Sequence, residues 1–208
     1  MEVQSHQDVR EIRKEELREI FNRASESVRL VALLSPRCPM CQQGHDVVKA
    51  LFTHFTSSRL RGIRVWLPMY PGDARNVAEA EAAAFEDSRL VDGWDPQRSI
   101  GELFARTLGL TKTAWDVYLL YGPGVRWEGE EPPEPTFWMH QLGPSYGANP
   151  RRFLDPDILD GKLGAILPAD EEWADGGSEH TGLGLANACC SGVQPRAVRC
   201  SAEEGGPR

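Results

Sequence analysis

The chain has 208 residues, of which 40% are apolar, and it carries six Trp and seven Phe. That is enough for one domain of ordinary size with a real hydrophobic core and extensions. A net charge of −8 argues against nucleic acid and against anionic membrane surfaces as partners. No apolar run approaches the roughly 18 residues that span a bilayer, and the charged first 25 residues lack the apolar core of a secretory signal. We therefore expect a cytoplasmic protein in a reducing compartment.

The first half of the chain alternates helix and strand patterns. Residues 7–26 are highly charged with a rough apolar stripe, which predicts a helix. Val28–Leu34 is a nearly continuous aliphatic run, typical of a strand that is buried on both faces. Apolar residues then recur at helical spacing over 41–56, and residues 63–67 predict a second strand.

The middle of the chain predicts two more helices. The turn Pro71-Gly72-Asp73 precedes an Ala- and Glu-rich helix over 73–87, and the chain then breaks at 92–96. Asp95 is interpreted there as a turn or capping residue. Ser99 is predicted to cap a helix that runs to residue 108, with Glu102 at the capping-box position.

A third strand is predicted over 115–121, followed by the tight turn at 122–124. The segment 125–127 would then form a hairpin with it, and 137–142 would be a further edge segment. Together these elements predict an α/β fold with a central, mainly parallel sheet, a C-terminal antiparallel hairpin and helices on both faces.

The chain divides into three parts by composition. Residues 1–26 form an N-terminal helical extension and residues 27–164 the folded domain. Residues 165–208 are rich in Gly and acidic side chains without apolar periodicity, which predicts a disordered tail. The tail carries Cys189, Cys190 and Cys200. The adjacent pair Cys189 and Cys190 are either accessory thiols that capture a soft metal or resolve a disulfide elsewhere, or exposed thiols of an extension without a function.

The most informative motif is Cys38-Pro39-Met40-Cys41, which lies at a strand-to-helix junction. The unpaired N–H groups and the dipole of a helix N-terminus favour a thiolate at Cys38. Cys41 lies one helical turn further on and can attack a mixed disulfide. Pro39 presets a helical φ, and Arg37 places a positive charge beside Cys38. The motif therefore predicts reversible disulfide chemistry, and it requires no cofactor.

The order of these features resembles the thioredoxin-like superfamily over roughly residues 26–142. The resemblance rests on the strand, the CPMC motif, the helix after it, the Trp94-Asp95 turn, Gly109-Leu110 before a strand, and the Gly-Pro-Gly hairpin. It is nearest to the TlpA-like and peroxiredoxin-like branch. It implies a thioredoxin-like fold, a protein or small-molecule disulfide as substrate, and a separate reducing partner.

By this resemblance Cys38 is the attacking cysteine and Cys41 the resolving one. Pro39 and Met40 match the pair that tunes the redox potential. The cis-proline of thioredoxins, which faces the cysteines, has no counterpart, because Ala114-Trp115 occupies that position. The substrate face is therefore predicted to be rebuilt around these two residues. No residue of the sequence matches the buried acid that assists the resolving cysteine.

Histidines near the motif have two interpretations. His45, one turn after Cys41, is either a solvent-facing helix residue or a proton carrier or metal ligand. His54 has the same alternatives, with the solvent-facing one favoured. Met139-His140 is either a packing segment of an edge strand or part of a soft-metal site with the cysteines. The tryptophans at 94, 115, 127 and 138 are expected mainly in the core.

Three functions remain open at this stage. The first is a thiol–disulfide oxidoreductase that uses Cys38 and Cys41. The second is a soft-metal binder or metallochaperone for Cu(I) or Hg(II) that uses the same cysteines, with or without the tail thiols. The third is a thioredoxin-like scaffold for protein interaction, in which the cysteine pair is vestigial. No resident metal is predicted.

Overall fold

The computed structural model describes residues 9–168. Residues 169–208, with Cys189, Cys190 and Cys200, lie outside the described residues, as do residues 1–8. In chain order the elements are β1 (Arg10–Glu11), α1 (Lys14–Arg23), β2 (Val28–Leu34), α2 (Pro39–His54), β3 (Leu60–Trp66), α3 (Arg75–Ala83), β4 (Leu90–Trp94), α4 (Ser99–Thr107), β5 (Val117–Tyr121), β6 (Phe137–His140) and α5 (Pro156–Ile166).

The strands form one six-stranded sheet in the order β1-β4-β3-β2-β5-β6. β1, β4, β3 and β2 pair in parallel, and β5 pairs antiparallel with both β2 and β6. A parallel β2–α2–β3 unit and an antiparallel β5–β6 hairpin therefore meet at β2. This arrangement confirms the predicted α/β fold class, with its mainly parallel sheet and its late antiparallel hairpin.

The central strand β2 is buried along its whole length, as its continuous apolar sequence predicts. Because side chains alternate across a strand, Leu30 and Leu34 belong to one hydrophobic cluster and Val31 and Leu33 to another. α2, α3 and α5 pack on the first face, and α1 and α4 on the second. Helices cover both faces of the sheet, as expected.

Strand β4 was not predicted, because the sequence pattern indicates a break at 92–96. The reason is Asp92, a charged residue in the middle of a buried strand. Its carboxylate accepts hydrogen bonds from Arg64 Nη2 at 2.7 Å and Trp66 Nε1 at 2.8 Å. A buried charge is tolerated when it is paired and hydrogen-bonded, and no pattern within one segment reveals a partner on another strand.

The hairpin partner of β5 is also different from the prediction. Phe137–His140 pairs with β5, whereas the predicted partner 125–127 is a loop. Hydrogen bonds from residues that are distant in sequence hold that loop. Arg29 Nη1 donates to the Val125 carbonyl at 2.8 Å, and the Asn22 side chain binds both the N–H and the carbonyl of Trp127.

The helices differ from the prediction in the start of α1, in the cap of α4 and in the presence of α5. α1 begins at Lys14 rather than residue 7, because Arg10–Glu11 pairs with β4. The N-terminus of α4 is capped by Asp95, whose Oδ2 accepts the Ile100 N–H at 2.7 Å. This confirms the capping role of Asp95, whereas the prediction of Ser99 as the cap is wrong. α5 was not predicted, although Asp155-Pro156 is a good start signal.

None of the helices between residues 9 and 168 has both the length and the apolar character needed to cross a bilayer.

Candidate active site

The cysteine pair lies where β2 ends and α2 begins. Cys38 is the N-cap of α2, with extended backbone, and Pro39 is the first helical residue. The Cys38 sulfur accepts the Cys41 N–H, with 3.4 Å between the two heavy atoms. The Cys41 sulfur accepts the Ser35 N–H at 3.3 Å. Both residues are free thiols, and each is only 1% exposed.

The two thiols have opposite acidities. The pKa of Cys38 is lowered to about 6, chiefly because the Cys41 thiol donates a hydrogen bond to its sulfur. Burial opposes this effect, while the N–H groups of Cys41 and Met40 and the Tyr70 hydroxyl add to it. The pKa of Cys41 is raised well above its ordinary value by burial, and further by Cys38 and Asp116. Cys38 is therefore the thiolate at neutral pH and Cys41 holds its proton.

Asp116 is the buried acid that the sequence analysis did not find. One of its carboxylate oxygens and both sulfurs all lie within 4.8 Å of one another. Its Oδ1 accepts the Tyr118 hydroxyl at 2.7 Å, whereas the buried Oδ2 has no hydrogen-bond partner within residues 9–168. Burial raises the pKa of Asp116 to about 7, and the Cys38 charge adds to this, although the Tyr118 hydroxyl opposes it. A carboxyl group with this pKa can take or give a proton near neutral pH.

The backbone of Asp116 is unusual, because its φ of 51° lies in the left-handed region. Asp and Asn are among the few residues other than Gly that tolerate this conformation. Asp116 directly precedes β5, and in the antiparallel register Val117 lies opposite Leu33, near the end of β2. The strand pairing therefore brings the carboxylate beside the cysteines.

A close contact between α2 and β5 fixes Tyr118. A Cβ atom at Gly44 would lie 1.6 Å from the Tyr118 hydroxyl oxygen, so only glycine fits at this helical position. The side-chain amide of Gln141, oriented to donate, reaches Asp116 Oδ1 at 3.0 Å and the Met40 carbonyl at 2.8 Å. Asp116 is thus held from β5 and from the segment that follows β6.

The predicted redox-tuning residues have different surroundings. Pro39 begins α2 as expected, and Met40 is 38% exposed beside the motif. Arg37 is exposed, and its side chain lies against Gly72. The main contributions to the low pKa of Cys38 come from Cys41, Met40 and Tyr70. The structure therefore provides no contact by which Arg37 would stabilise the thiolate.

Only one of the two predicted substrate-face residues lies at the surface. Ala114 is fully buried, and its N–H donates to the Gly101 carbonyl at 3.0 Å. Trp115 is half-buried, with its ring centroid 5.8 Å from that of Tyr70 and its Nε1 donating to the Tyr146 hydroxyl at 2.7 Å. Because Ala114 is buried, Trp115 is the residue of this pair that a docking substrate can reach, and the substrate-face role of the pair stays a prediction.

His45 is neither solvent-facing nor close to the sulfurs. It is buried, its Nε2 lies 2.6 Å from Arg64 Nη1, and its ring contacts Trp66 edge to face. Burial and the Arg64 charge lower the pKa of His45 to about 4. It is therefore a neutral acceptor that ties α2 to the buried Arg64–Asp92 ion pair. His54 is exposed and pairs with Asp160 at 2.7 Å.

Both ring nitrogens of His140 form hydrogen bonds to backbone groups that are near in sequence. Its Nε2 donates to the Asn149 carbonyl at 2.9 Å, and its Nδ1 accepts the Leu142 N–H at 3.0 Å. Within residues 9–168 the cysteines are joined by a carboxylate rather than by an imidazole. Because soft metals such as Cu(I) prefer sulfur and nitrogen donors, this donor set does not favour the soft-metal alternative. Met139 and His140 pack at the edge of the sheet, which was the favoured interpretation.

An apolar cleft of about 570 Å³ lies directly beside the motif. Met40 forms one wall, and Leu142, Pro144 and Phe153 are among the other lining residues. Phe153 is 47% exposed. The cleft therefore reaches the cysteine motif at Met40.

Five residues of the site were not predicted from the sequence: Tyr70, Asp73, Asp116, Tyr118 and Gln141. For Tyr70 and Asp73 the sequence contained one usable signal. The carboxyl ends of parallel strands meet at one edge of a sheet, so the turn after β3 has to lie beside the CPMC motif. Asp116 and Gln141 depend on the antiparallel register of β5 and β6, for which the sequence offered the wrong partner.

No protein-family model matches the chain, and no curated protein does. Several solved structures resemble it in fold. One is DsbF from MTB, in mixed oxidised and reduced forms, at 14% identity with a TM-score of 0.44, covering 71% of this chain and 84% of that one. Another is a secreted Mycobacterium tuberculosis disulfide oxidoreductase homologous to E. coli DsbE, at 11% identity with a TM-score of 0.42, covering 69% and 85%.

A third is a Chlorobium tepidum protein assigned as the thiol:disulfide interchange protein DsbE. It has 16% identity and a TM-score of 0.45, and the match covers 70% of this chain and 84% of that one. At such low values the function has to be argued from the site itself.

Proposed function

We propose that the protein is a thiol–disulfide oxidoreductase in which Cys38 is the nucleophile and Cys41 the resolving thiol. The observation that carries this proposal is the difference in pKa between the two thiols of one buried pair. The pKa of Cys38 is lowered to about 6, whereas that of Cys41 is raised well above its ordinary value. Such a pair presents one thiolate and one protonated thiol at neutral pH, which is what a two-step exchange requires.

In the reducing direction, the Cys38 thiolate attacks one sulfur of a substrate disulfide. A Cys38–substrate disulfide forms, the substrate S–S bond breaks, and the second substrate sulfur leaves as a thiolate that takes a proton. Cys41 then loses its proton and attacks the Cys38 sulfur. The Cys38–Cys41 disulfide forms and the first substrate sulfur is released, so two electrons pass from the pair to the substrate. The oxidised pair acts in reverse on a dithiol.

Asp116 is suited to accept the Cys41 proton in the second step. Its Oδ2 is buried without a partner among the described residues, and its carboxyl group lies within 4.8 Å of the sulfurs. In the mixed disulfide Cys38 no longer carries a charge, so the repulsion that raises the pKa of Asp116 is reduced. The ionised carboxylate is then available as a base when Cys41 has to attack.

Two features support a disulfide-bearing polypeptide as the substrate and a place near the TlpA-like branch. The apolar cleft beside Met40 can take a side chain next to the reacting sulfur. The α3–β4–α4 insertion separates the β2–α2–β3 unit from the β5–β6 hairpin, as in the resemblance described for the sequence. A separate reducing partner is required to regenerate the dithiol. The cytoplasmic location and the role of the tail thiols stay predictions.

The test is trapping of the mixed disulfide in the full chain. We expect Cys41→Ser, incubated with oxidised glutathione or a cyclic peptide disulfide, to accumulate a covalent adduct that peptide mass spectrometry maps to Cys38. The matched variant Cys38→Ser should form no adduct at Cys41, because that thiol stays protonated. Wild-type protein should turn over the peptide disulfide with dithiothreitol as the reductant, and both variants should lose this activity.

An adduct confined to the tail cysteines, or turnover that survives in Cys38→Ser, would overturn the proposal. Stoichiometric retention of Cu(I) by wild-type protein with no disulfide turnover would instead support the soft-metal function. Wild-type behaviour of the double serine variant in cells would point to the scaffold role.

A further inference from the structure

Gln141 lies opposite Asp116, at the point where the pairing of β5 with β6 ends. The last residue pair of this ladder is Val117 with His140, and one step further the Gln141 N–H donates to the Asp116 carbonyl at 2.9 Å. The neighbours of Gln141 are fixed, because His140 and Leu142 are both buried and the Leu142 N–H donates to His140 Nδ1 at 3.0 Å. The main chain alone therefore holds Gln141 against Asp116.

The side-chain amide of Gln141 connects Asp116 to the cysteine motif. One amide atom lies 2.8 Å from the Met40 carbonyl oxygen and 3.0 Å from Asp116 Oδ1. Because a carbonyl oxygen only accepts hydrogen bonds, this atom is the amide nitrogen, and its two N–H groups can serve both acceptors. Met40 is the second residue of α2. One side chain therefore joins the end of β6, the residue before β5 and the first turn of α2.

The hydrogen bonds of Asp116 distinguish its two carboxylate oxygens. Oδ1 accepts the Tyr118 hydroxyl at 2.7 Å in addition to the Gln141 amide. Oδ2 is buried and has no hydrogen-bond partner within residues 9–168. Hydrogen bonds to Oδ1 favour the ionised carboxylate, and Oδ2 is left as the oxygen that can take a proton. The titratable groups that interact with Asp116 are Cys38, Cys41, Tyr70 and Tyr118.

We propose that Gln141 is a positioning residue for the second step of the exchange, in which it holds Asp116 so that Oδ2 receives the Cys41 proton. The proposal rests on the proposed function, because it deepens the role of the same acid. In this step the Cys41 S–H proton passes to Oδ2, and the Cys41 sulfur bonds to the Cys38 sulfur. The bond from Cys38 to the substrate breaks, and the substrate sulfur leaves as a thiolate.

The first experiment measures the pKa of Asp116 rather than turnover. The carboxyl carbon resonance of Asp116 is followed against pH in the full reduced chain, and its absence in Asp116→Asn assigns it. Gln141→Met keeps the length of the side chain but loses the charge-assisted N–H donor, so we expect the pKa of Asp116 to rise by about one unit. The matched control is Gln42→Met, because the Gln42 amide bonds Pro36 and Glu81 instead and its loss should leave the titration unchanged.

The second experiment separates the two steps of the exchange. Reduced protein, in the full chain with the three cysteines of residues 165–208 replaced by serine, reacts with an aromatic disulfide that releases a coloured thiolate in each step. We expect Gln141→Met to leave the first release, by attack of Cys38, unchanged. The second release, by attack of Cys41, should slow about tenfold at neutral pH, and its pH midpoint should rise by about one unit.

The second variant Gln141→Glu places a carboxyl group where the donor was, and it should raise the pKa of Asp116 further than Gln141→Met does. An unchanged pKa of Asp116 in both variants would overturn the proposal. Equal slowing of both releases at every pH would also overturn it, because that result indicates a general structural defect. Absence of disulfide turnover in wild-type protein would refute the proposed function alone, because the carboxyl titration does not depend on turnover.

Discussion

Asp116→Asn is expected to make the reduced protein more stable, by an amount that grows as the pH rises from about 4 to about 7. Asn retains an oxygen that can accept the Tyr118 hydroxyl and tolerates the left-handed backbone of position 116. What it removes is the buried negative charge. The substitution therefore isolates the free-energy cost of ionising this carboxyl group inside the fold.

The size of the effect follows from the raised pKa. Burial raises the pKa of Asp116 from 3.8 to about 7, a rise of about three, and each pKa unit corresponds to about 1.4 kcal/mol, so the full cost is about 4 kcal/mol. Because the folded pKa is the higher one, the cost is absent below pH 3.8, where the carboxyl is protonated in both states. It grows as pH rises towards 7 and is complete above that value.

The assay is urea denaturation of wild type and Asp116→Asn under dithiothreitol, at pH 4, 6 and 8. We expect nearly equal free energies of unfolding at pH 4 and a variant that is about 2–4 kcal/mol more stable at pH 8. A difference that is the same at pH 4 and pH 8 would refute the reasoning. So would a variant that is less stable than wild type at pH 8, since the carboxylate would then be favourable in the fold.

Three further predictions concern the same elements. Gly44→Ala places a Cβ 1.6 Å from the Tyr118 oxygen and should lower the free energy of unfolding, measured with urea, by about 1–3 kcal/mol. The control is Gly161→Ala in α5, where an added Cβ meets no atom within 4 Å, and it should be neutral or slightly stabilising. Arg64→Met removes the ion-pair partner of the buried Asp92 and should lower the free energy of unfolding by about 3–5 kcal/mol. Arg75→Met breaks an exposed ion pair with Glu79 and should lower it by less than about 1 kcal/mol. Equal losses of stability would contradict the importance of burial. Iodoacetamide should modify Cys38 with a rate that rises with pH through a midpoint near 6, while Cys41 stays unmodified at pH 7, and labelling of Cys41 first would reverse the assignment of the two thiols.

The elements that a single segment determines were predictable. Val28–Leu34 is buried on both faces because its apolar run is continuous, and the helix after Cys38-Pro39 begins where the proline predicts. Residues whose placement depends on another strand were not predictable. Asp92 is strand-forming only because Arg64 neutralises it, and Asp116 reaches the sulfurs only through the register of β5 against β2.

The residues of the candidate site divide in the same way, into those determined by one segment and those that depend on other strands and loops. The sequence was sufficient to name the cysteine pair, because the strand-to-helix junction is a local feature. Much of the acidity of the pair is local, because the Cys41 thiol and the N–H groups of Cys41 and Met40 lower the pKa of Cys38. Asp116, which helps to raise the pKa of Cys41, comes from the loop before β5. The side chain of Arg37, the neighbour in sequence, lies against Gly72. Proximity along the chain was therefore a guide to the groups that act on Cys38 but not to the contribution of Asp116.

The near-complete burial of Cys38 has a consequence for selectivity. A solvent-exposed thiolate at neutral pH would react with small oxidants such as peroxide, and its sulfenic acid would be oxidised further to irreversible products. Here Cys38 is 1% exposed, whereas Met40 in the same motif is 38% exposed. Under the proposed function, a disulfide substrate has to gain access to this buried sulfur when it docks. The reactivity of Cys38 therefore depends on docking of the substrate, and small reagents such as peroxide or iodoacetamide should react with it more slowly than with an exposed thiolate.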